Sequence, residues 1–356
     1  MPRLLDQFAA RADLVRARLQ AFRRATTDRD LHGWAAELVP RLTTFAAQGK
    51  LVRANLVLLG CELGGGRITA AVQDAAAALE LVHSGFLIHD DIIDDDALRR
   101  GQPALHVAYA DAGRRRARAS RARADHIGRA IAICAADAAF FAAGELLAHT
   151  ALAPASTRRI LQLWAHTFRR VALGEVLDVE LTLDAGAAPL RTILGFYRLK
   201  TARYTFCAPL ETGLLCADAP AALIRAVNAF AEHLGLVFQI KDDELGLFGA
   251  TRTIGKPLGS DITQNKKTVY HHYLFARATP AQRARLRKLF GAPRLTRADV
   301  AYVRAVLESS GARAAAAALM TRHVRAARAA IRTLPIAPAQ QTRLQQLVDY
   351  CITRTV

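Results

Sequence analysis

From Thr69 to Asp95 the chain runs mostly through alanine, leucine and other helix formers. It has no proline there and one glycine, Gly85, and it closes on five aspartates within seven residues: Asp90, Asp91, Asp94, Asp95 and Asp96. Alanine and unbranched side chains favour the helix, so this stretch predicts one long helix whose last turns are crowded with carboxylates. Carboxylates that close repel one another unless a cation intervenes. A fold built on this segment must give it a core to pack on and a positive charge at its end.

The rest of the sequence follows the same pattern. Hydrophobic residues make up 52% of 356, aromatics only 6%, and there are 12 Pro and 22 Gly. With β-branched runs scarce, the expected class is all-α. Helices are predicted over 3–23, from the Thr27/Asp28 cap region to about Gln48, and over Val52 to Leu63, which stops at Gly64-Gly65-Gly66. After the Thr69–Asp95 helix and a break at Arg100-Gly101-Gln102-Pro103, helices are expected over 126–151, 156–183, 188–216 and 220–247. A loop over 249–261 leads to 263–277, 280–290, 297–309, 311–333 and 337–352. No solenoid repeat and no Ser/Gly/Pro-rich linker divides them. The expectation is one domain, residues 1–356, forming a single large helical bundle.

The formal charge is +18, which attracts anionic substrates, anionic lipid or nucleic acid. Much of it is arginine, with a run from Arg114 to Arg123. Such runs usually form a solvated helix end or loop. No basic patch with interleaved aromatics and no zinc spacing points to nucleic acid, so none is expected as a partner. Five cysteines, Cys61, Cys134, Cys207, Cys216 and Cys351, fit no metal spacing and read as reduced thiols of a cytoplasmic protein. The first residues carry Asp6 and Asp13 and lack the apolar core of a secretory signal. The most apolar stretch, Ile131 to Gly144, is short and holds Asp137, so no transmembrane segment is expected.

The acidic segment reads HDDIIDDDALRRG, His89 to Gly101. At about 100° per residue, Asp90 and Asp94 share one helix face and Asp91 borders it. Hard oxygen ligands suit magnesium, which bridges to substrate phosphates. Arg99 and Arg100 follow at once, and arginine forks clamp phosphate oxygens. The bland alternative is an acidic helix end followed by a basic turn. A second cluster, FQIKDDELGLFG from Phe238 to Gly249, sets Gln239, Asp242 and Asp243 on one helix face. Alone it reads equally well as a solvated helix end. Its following segment supplies Lys256, Asp261, Lys266 and Lys267. Two such faces can pinch one diphosphate between metal ions.

Both clusters resemble the aspartate-rich motifs of the trans-isoprenyl diphosphate synthases, the polyprenyl synthetase family that includes geranylgeranyl and farnesyl diphosphate synthases. The resemblance runs from about Gln48 to Thr268 with the motifs in the family's order. DDIIDDDALRRG matches the DDxxD…RRG pattern. Gly49-Lys50-Leu51-Val52-Arg53 resembles the GGKRxRP segment, with Leu51 and Ala54 departing from it. Lys50 and Arg53 fall on its isopentenyl diphosphate contacts, and His83, seven residues before Asp90, on a third. Taken alone, His83 would be a satisfied core histidine. Lys200-Thr201 matches the KT motif of the allylic site. Gly174-Glu175-Val176-Leu177-Asp178 resembles GQxxDL with Glu175 in place of Gln. The second DDxxD ends in Gly246 instead of Asp, which leaves Asp242 as the main ligand of that half. Lys256 and Lys266 match lysines on the allylic diphosphate, and Asp261 looks like a supporting partner.

The resemblance implies an isoprenoid-synthase bundle with a central cavity, a homodimer, and a magnesium-dependent condensation of an allylic diphosphate with isopentenyl diphosphate. Magnesium, three ions with substrate bound, would bridge the allylic diphosphate to Asp90, Asp91, Asp94 and Asp242. Arg99, Lys200, Lys256 and Lys266 would neutralise the leaving pyrophosphate. Lys50, Arg53, His83 and Arg100 would hold isopentenyl diphosphate. Lys200 and Thr201 would steady the allylic cation, with Gln239 on the same substrate. Product length would be set by a floor one helical turn below Asp90, at Gly85 and Phe86, with Val82, Leu79 and Ala78 deeper. A small Gly85 predicts geranylgeranyl diphosphate, with farnesyl or longer products as alternatives. A class I terpene cyclase and a non-catalytic synthase subunit share parts of the pattern.

Overall fold

Alanine lets helices approach closely, and the centre of the first half of the chain shows it. In the computed structural model, which describes residues 4–26, 30–117, 120–184, 186–249 and 259–355, nearly all regular structure is helical. The described residues form two compact units. One comprises residues up to Ile160 with Thr212–Ala219; the other comprises Leu161–Glu211 with Pro220 onward.

The first unit holds α1 (Leu4–Ala25), α2 (Gly33–Ala46), α3 (Val52–Leu63), α4 (Ala70–Ile93), α5 (Leu105–Ala117), α6 (Arg121–Ala148) and the start of α7 (Pro154–Leu181). Helix α4 is its axis. Ala75, Ala76, Ala77 and Ala78 are fully buried, and α1, α3 and α6 pack around them. The Thr69 hydroxyl caps α4 by accepting the Val72 N–H, satisfying one of the orphan donors of the first turn. Helices α5 and α6 meet at Gly128, where a Cβ would stand 2.2 Å from the His106 carbonyl oxygen. Between α4 and α5 lies a two-stranded hairpin, β1 (Leu98–Arg99) and β2 (Gln102–Pro103). Its turn residues, Arg100 and Gly101, both have positive φ (54° and 75°), the type I′ geometry that matches strand twist.

The second unit is built on α10 (Ala221–Phe248). Around it lie α8 (Leu190–Tyr197), a π-helix (Arg198–Cys207), the first residues of α9 (Ala208–Cys216), α11 (Ser260–Thr263), α12 (Val269–Arg277), α13 (Pro280–Leu289), α14 (Arg297–Ser309), α15 (Ala312–Thr333) and α16 (Pro338–Thr353). The expected 188–216 helix is therefore three segments. Its middle third has π geometry, a form found mostly at functional sites. The π-helix sits tightly on α10, since a Cβ on Gly235 would fall 2.3 Å from Ala202 Cα. The expected 263–277 helix is broken by residues 264–268, where Asn265 has φ 53°. Residues 250–258 of the expected loop, and the Thr27/Asp28 cap, lie outside the described residues.

One expectation needs correction. Helices α6 and α10 are both long and apolar enough to cross a membrane by length and composition. The Ile131–Gly144 reading stopped too early because Leu146, Leu147 and Ala148 carry the apolar stretch to the end of α6. In α10 half of the apolar window is buried inside the protein.

Candidate active site

In the first unit the RRG turn sorts two adjacent arginines onto different partners. Arg99 turns back to α4, where its Nε donates to Asp91 Oδ1 at 2.7 Å and its Nη2 reaches Asp90 Oδ2 at 3.4 Å. A second bond joins Arg99 Nη2 to Asp91 Oδ1. Arg100 lies against Gly49, whose Cβ would stand 3.2 Å from the guanidinium carbon, and donates to the Phe45 carbonyl at 3.2 Å. This places Arg100 beside the Gly49-Lys50 loop. Leu51, next in that loop, has φ 47° and opens α3.

The acidic motif divides by burial. Asp91 is buried, and burial pushes its carboxyl up to about 6 against the pull of Arg99. Asp90 and Asp94 are only partly covered. Asp94 follows the last helical residue, with its N–H on the Asp90 carbonyl at 2.8 Å. Carboxylates at a helix C-terminus face the negative end of the dipole, so this end favours a cation. Asp90 and Asp94 present the hard oxygens that a divalent ion prefers. Among the described residues no three His, Cys, Asp or Glu side chains gather into a metal cage of their own.

Two turns before Asp90, His83 accepts from Arg53 Nη1 through Nε2 at 2.9 Å. Arginine only donates, so Nε2 carries no proton here. Burial first, then Arg53, Arg100 and Arg99, hold the imidazole well below its usual range. Beneath it Glu80 is buried and accepts the Ala54 N–H at 2.9 Å. The fold thus sets Arg53, Arg99 and Arg100 around His83, two of them, Arg53 and Arg100, also near buried Glu80, with exposed Lys50 in the neighbouring loop. Glu80 is a member that sequence reading missed; its spacing of three from His83 was the available signal.

In the second unit, Asp178 is buried and holds two lysines: Lys200 Nζ at 2.9 Å and Lys266 Nζ at 3.5 Å. Lys200 also meets Glu175 Oε2 at 2.6 Å. A hydrogen-bonded row crosses from the π-helix to α10. Thr201 Oγ1 donates to Gln239 Oε1 at 2.5 Å, and Gln239 Nε2 donates to Asp243 Oδ1 at 2.9 Å. The Tyr197 hydroxyl donates to Asp243 Oδ2 and accepts the Val269 N–H at 3.1 Å.

Asp242 and Asp243, neighbours in sequence, part company. Asp243 is buried, and burial raises its carboxyl well above the usual range. Asp242 is 42% exposed at the side chain and pairs with Arg354. That arginine follows α16, stacks on Phe238 at 3.6 Å and donates to the Phe238 carbonyl at 3.0 Å. No sequence signal marked Arg354; Tyr197, three residues before Lys200, could have been found. Lys256 lies outside the described residues.

At the expected product floor, Gly85 does not border open space. A Cβ there would lie 2.7 Å from Phe140 Cε1 and 2.9 Å from the Ala136 carbonyl oxygen on α6. Phe86 packs edge-on against Phe140, ring centroids 5.0 Å apart. Glycine at 85 serves helix packing, because no side chain fits between α4 and α6.

Comparison with known proteins gives this geometry a relationship. The Polyprenyl synthetase family profile matches residues 37–307. A short chain isoprenyl diphosphate synthase of Methanothermobacter thermautotrophicus is 31% identical, over 86% of this chain and 87% of the relative. A (2E,6E)-farnesyl diphosphate synthase of Mycobacterium bovis is 29% identical, over 86% of this chain and 80% of its own. In structure, the chain is similar to a geranylgeranyl pyrophosphate synthase from Corynebacterium glutamicum, complexed with isoprenyl diphosphate and magnesium. The TM-score is 0.91 at 28% identity, with 98% of this chain and 99% of that one covered. With a family match over most of its length and an all-α fold of the isoprenoid synthase type, this chain is a member of the polyprenyl synthetase family.

Proposed function

We propose that the protein is a short-chain trans-prenyltransferase that joins an allylic diphosphate to isopentenyl diphosphate, with geranylgeranyl diphosphate as the main product. The observation that carries this reading is the cluster of Arg53, Arg99 and Arg100 around a neutral His83. A terpene cyclase has no second diphosphate to hold and no use for such a cluster.

Lys50, Arg53, His83 and Arg100 bind the isopentenyl diphosphate and fix its double bond. His83, unprotonated at Nε2, binds without competing for the substrate's charge. Lys200, Lys256 and Lys266 bind the allylic diphosphate, and Asp178 keeps Lys200 and Lys266 side by side. Asp90 and Asp94 in the first unit and Asp242 in the second are the carboxylates that would hold magnesium, which would supply Lewis-acid stabilisation of the leaving diphosphate. Asp91, buried and bonded to Arg99, holds that arginine in place beside Asp90. Fixed cations favour the charge that develops on the leaving pyrophosphate. The Thr201–Gln239–Asp243 row sets the Thr201 hydroxyl, whose dipole steadies the allylic cation. The isopentenyl double bond attacks that cation, and loss of a proton to pyrophosphate completes the condensation. No protein nucleophile is needed.

Residues 1–356 act as one catalytic domain in this reading. A homodimer is the assembly expected in this reading, and apolar side chains left exposed on α7, Leu173 and Val176 among them, are available to an interface. Five cysteines with no disulfide among them support a cytoplasmic location.

The test is incorporation. Purified protein with magnesium, farnesyl diphosphate and labelled isopentenyl diphosphate is expected to form labelled geranylgeranyl diphosphate. Asp90→Ala is expected to abolish this while leaving the circular dichroism spectrum unchanged. A fully active Asp90→Ala variant sinks the assignment.

A further inference from the structure

The arginine run between α5 and α6 takes no part in the reaction above, yet it borders a cavity. A pocket of about 470 Å³ is lined by Arg114, Arg121, Arg129, His106, Asp95 and Asp125. Val107 and Ala110 supply an apolar wall. The volume is that of a small-molecule site, which usually joins apolar walls with a few convergent polar groups. The close approach of α5 and α6 at Gly128 creates it, because Gly128 brings Asp125 and Arg129 of α6 against His106 and Ala110 of α5.

Guanidinium groups outnumber carboxylates by one in its lining, and Asp111 beside it pairs with Arg114. Three guanidinium groups face two carboxylates in the lining. Arg114 bonds to Asp111 and reaches Asp125 at 3.4 Å, and Arg121 stands 3.9 Å from the same Asp125. Arg129 holds Asp95 at 2.7 Å. Asp125 is thus shared between two arginines, which leaves both forks with donors to spare. Guanidinium forks match phosphate oxygens two at a time.

We propose that this pocket is a second anion site, separate from the catalytic carboxylates, that takes a diphosphate group. The proposal rests on the prenyltransferase reading for the identity of the anions at hand, which are free pyrophosphate and a prenyl diphosphate. The Val107–Ala110 wall can accept a hydrocarbon chain beside the arginines. Occupancy reaches the acidic motif through one bond. An anion that draws on Arg129 loosens its hold on Asp95, the residue after Asp94.

Calorimetry on the full-length protein in EDTA tests this, with pyrophosphate and farnesyl diphosphate as separate titrants. Three variants accompany the wild type: Arg114→Ala/Arg121→Ala, Asp125→Asn, and Asp90→Ala/Lys200→Ala. The arginine double variant is expected to lose one class of sites or weaken it at least tenfold, with basal turnover unchanged. Asp125→Asn is expected to tighten that class at least threefold, a gain that misfolding does not mimic. The Asp90→Ala/Lys200→Ala variant is expected to keep the class although it is inactive, so loss of the reaction and loss of the pocket are read separately. Farnesyl diphosphate binding tenfold tighter than pyrophosphate assigns the pocket to the prenylated anion; equal binding assigns it to pyrophosphate. Unchanged stoichiometry and affinity in the arginine double variant overturns the proposal.

Discussion

The carboxylate of Asp261 occupies the space that Gly246 leaves empty: a Cβ on Gly246 would stand 2.6 Å from Asp261 Oδ2. The second acidic motif ends in Gly246 where the family pattern has aspartate, and a carboxylate from the following segment stands in its place. The expected outcome is a swap. Asp261→Ala lowers kcat about 10- to 100-fold, the range seen for residues that support metal ligands. Adding Gly246→Asp to that variant recovers most of the loss, while Gly246→Asp alone crowds two carboxylates and lowers activity. Steady-state rates of the four proteins complete the cycle, and additive losses would contradict it.

Glu175 holds Lys200 at 2.6 Å, where the family pattern has a neutral glutamine. Glu175→Gln leaves Lys200 with Asp178 alone and more of its charge for substrate. The KM for the allylic diphosphate is expected to fall about threefold, ~0.6 kcal/mol, with kcat little changed. Initial rates against farnesyl diphosphate concentration measure it, and an unchanged or higher KM counts against the role given to Lys200.

Arg354 neutralises Asp242 from the end of the chain. A divalent ion must compete with that guanidinium for the carboxylate. Arg354→Ala is expected to lower the magnesium concentration needed for half-maximal rate by about fivefold, ~1 kcal/mol. It should also speed amide exchange over the last turn of α16, which the Arg354 bond to the Phe238 carbonyl ties down.

His271 is buried beside Phe275 and Phe290, stacked on the first at 4.4 Å, and neither ring nitrogen has a hydrogen-bond partner among the described residues. Burial, then Lys267 and His272, push it from 6.5 down to about 3. The unfolded chain therefore takes the proton first as pH falls, so stability drops from about pH 6.5 toward pH 3. The cost at pH 5 is about 2 kcal/mol. His271→Phe is expected to flatten this acid limb in urea melts at pH 5 and pH 8. An unaltered difference between the two pH values would rule the mechanism out.

Gly85→Phe would force a ring into the Ala136 backbone and Phe140. Loss of stability by about 3 kcal/mol is expected, instead of a shorter product. Phe140→Ala removes the ring that faces both Gly85 and Phe86 and is expected to lengthen the products seen by chromatography.

Helix spacing and residue type sufficed to read the all-α class and the Gly64-Gly65-Gly66 stop. These depend on local propensity and on a fixed rotation per residue. Burial was less legible. Asp91 and Asp243 each follow an accessible aspartate by one residue, yet both point inward, because a 100° step carries a side chain from solvent to core. The π geometry at Lys200 and the Arg354–Asp242 pair come from tertiary packing, and no short window of sequence contains both partners. Gly85 misled for a related reason, since a missing side chain can mean an open cavity or a close neighbour.

The positive-φ pair at Arg100 and Gly101 fixes a reversal of only two residues. Arg99 and Arg100 consequently address separate clients, one the carboxylates of α4 and the other the loop around Gly49. Inserting one residue into that link would slip the pairing of Leu98–Arg99 with Gln102–Pro103 by one and turn those side chains to the opposite face, away from the clients they now meet.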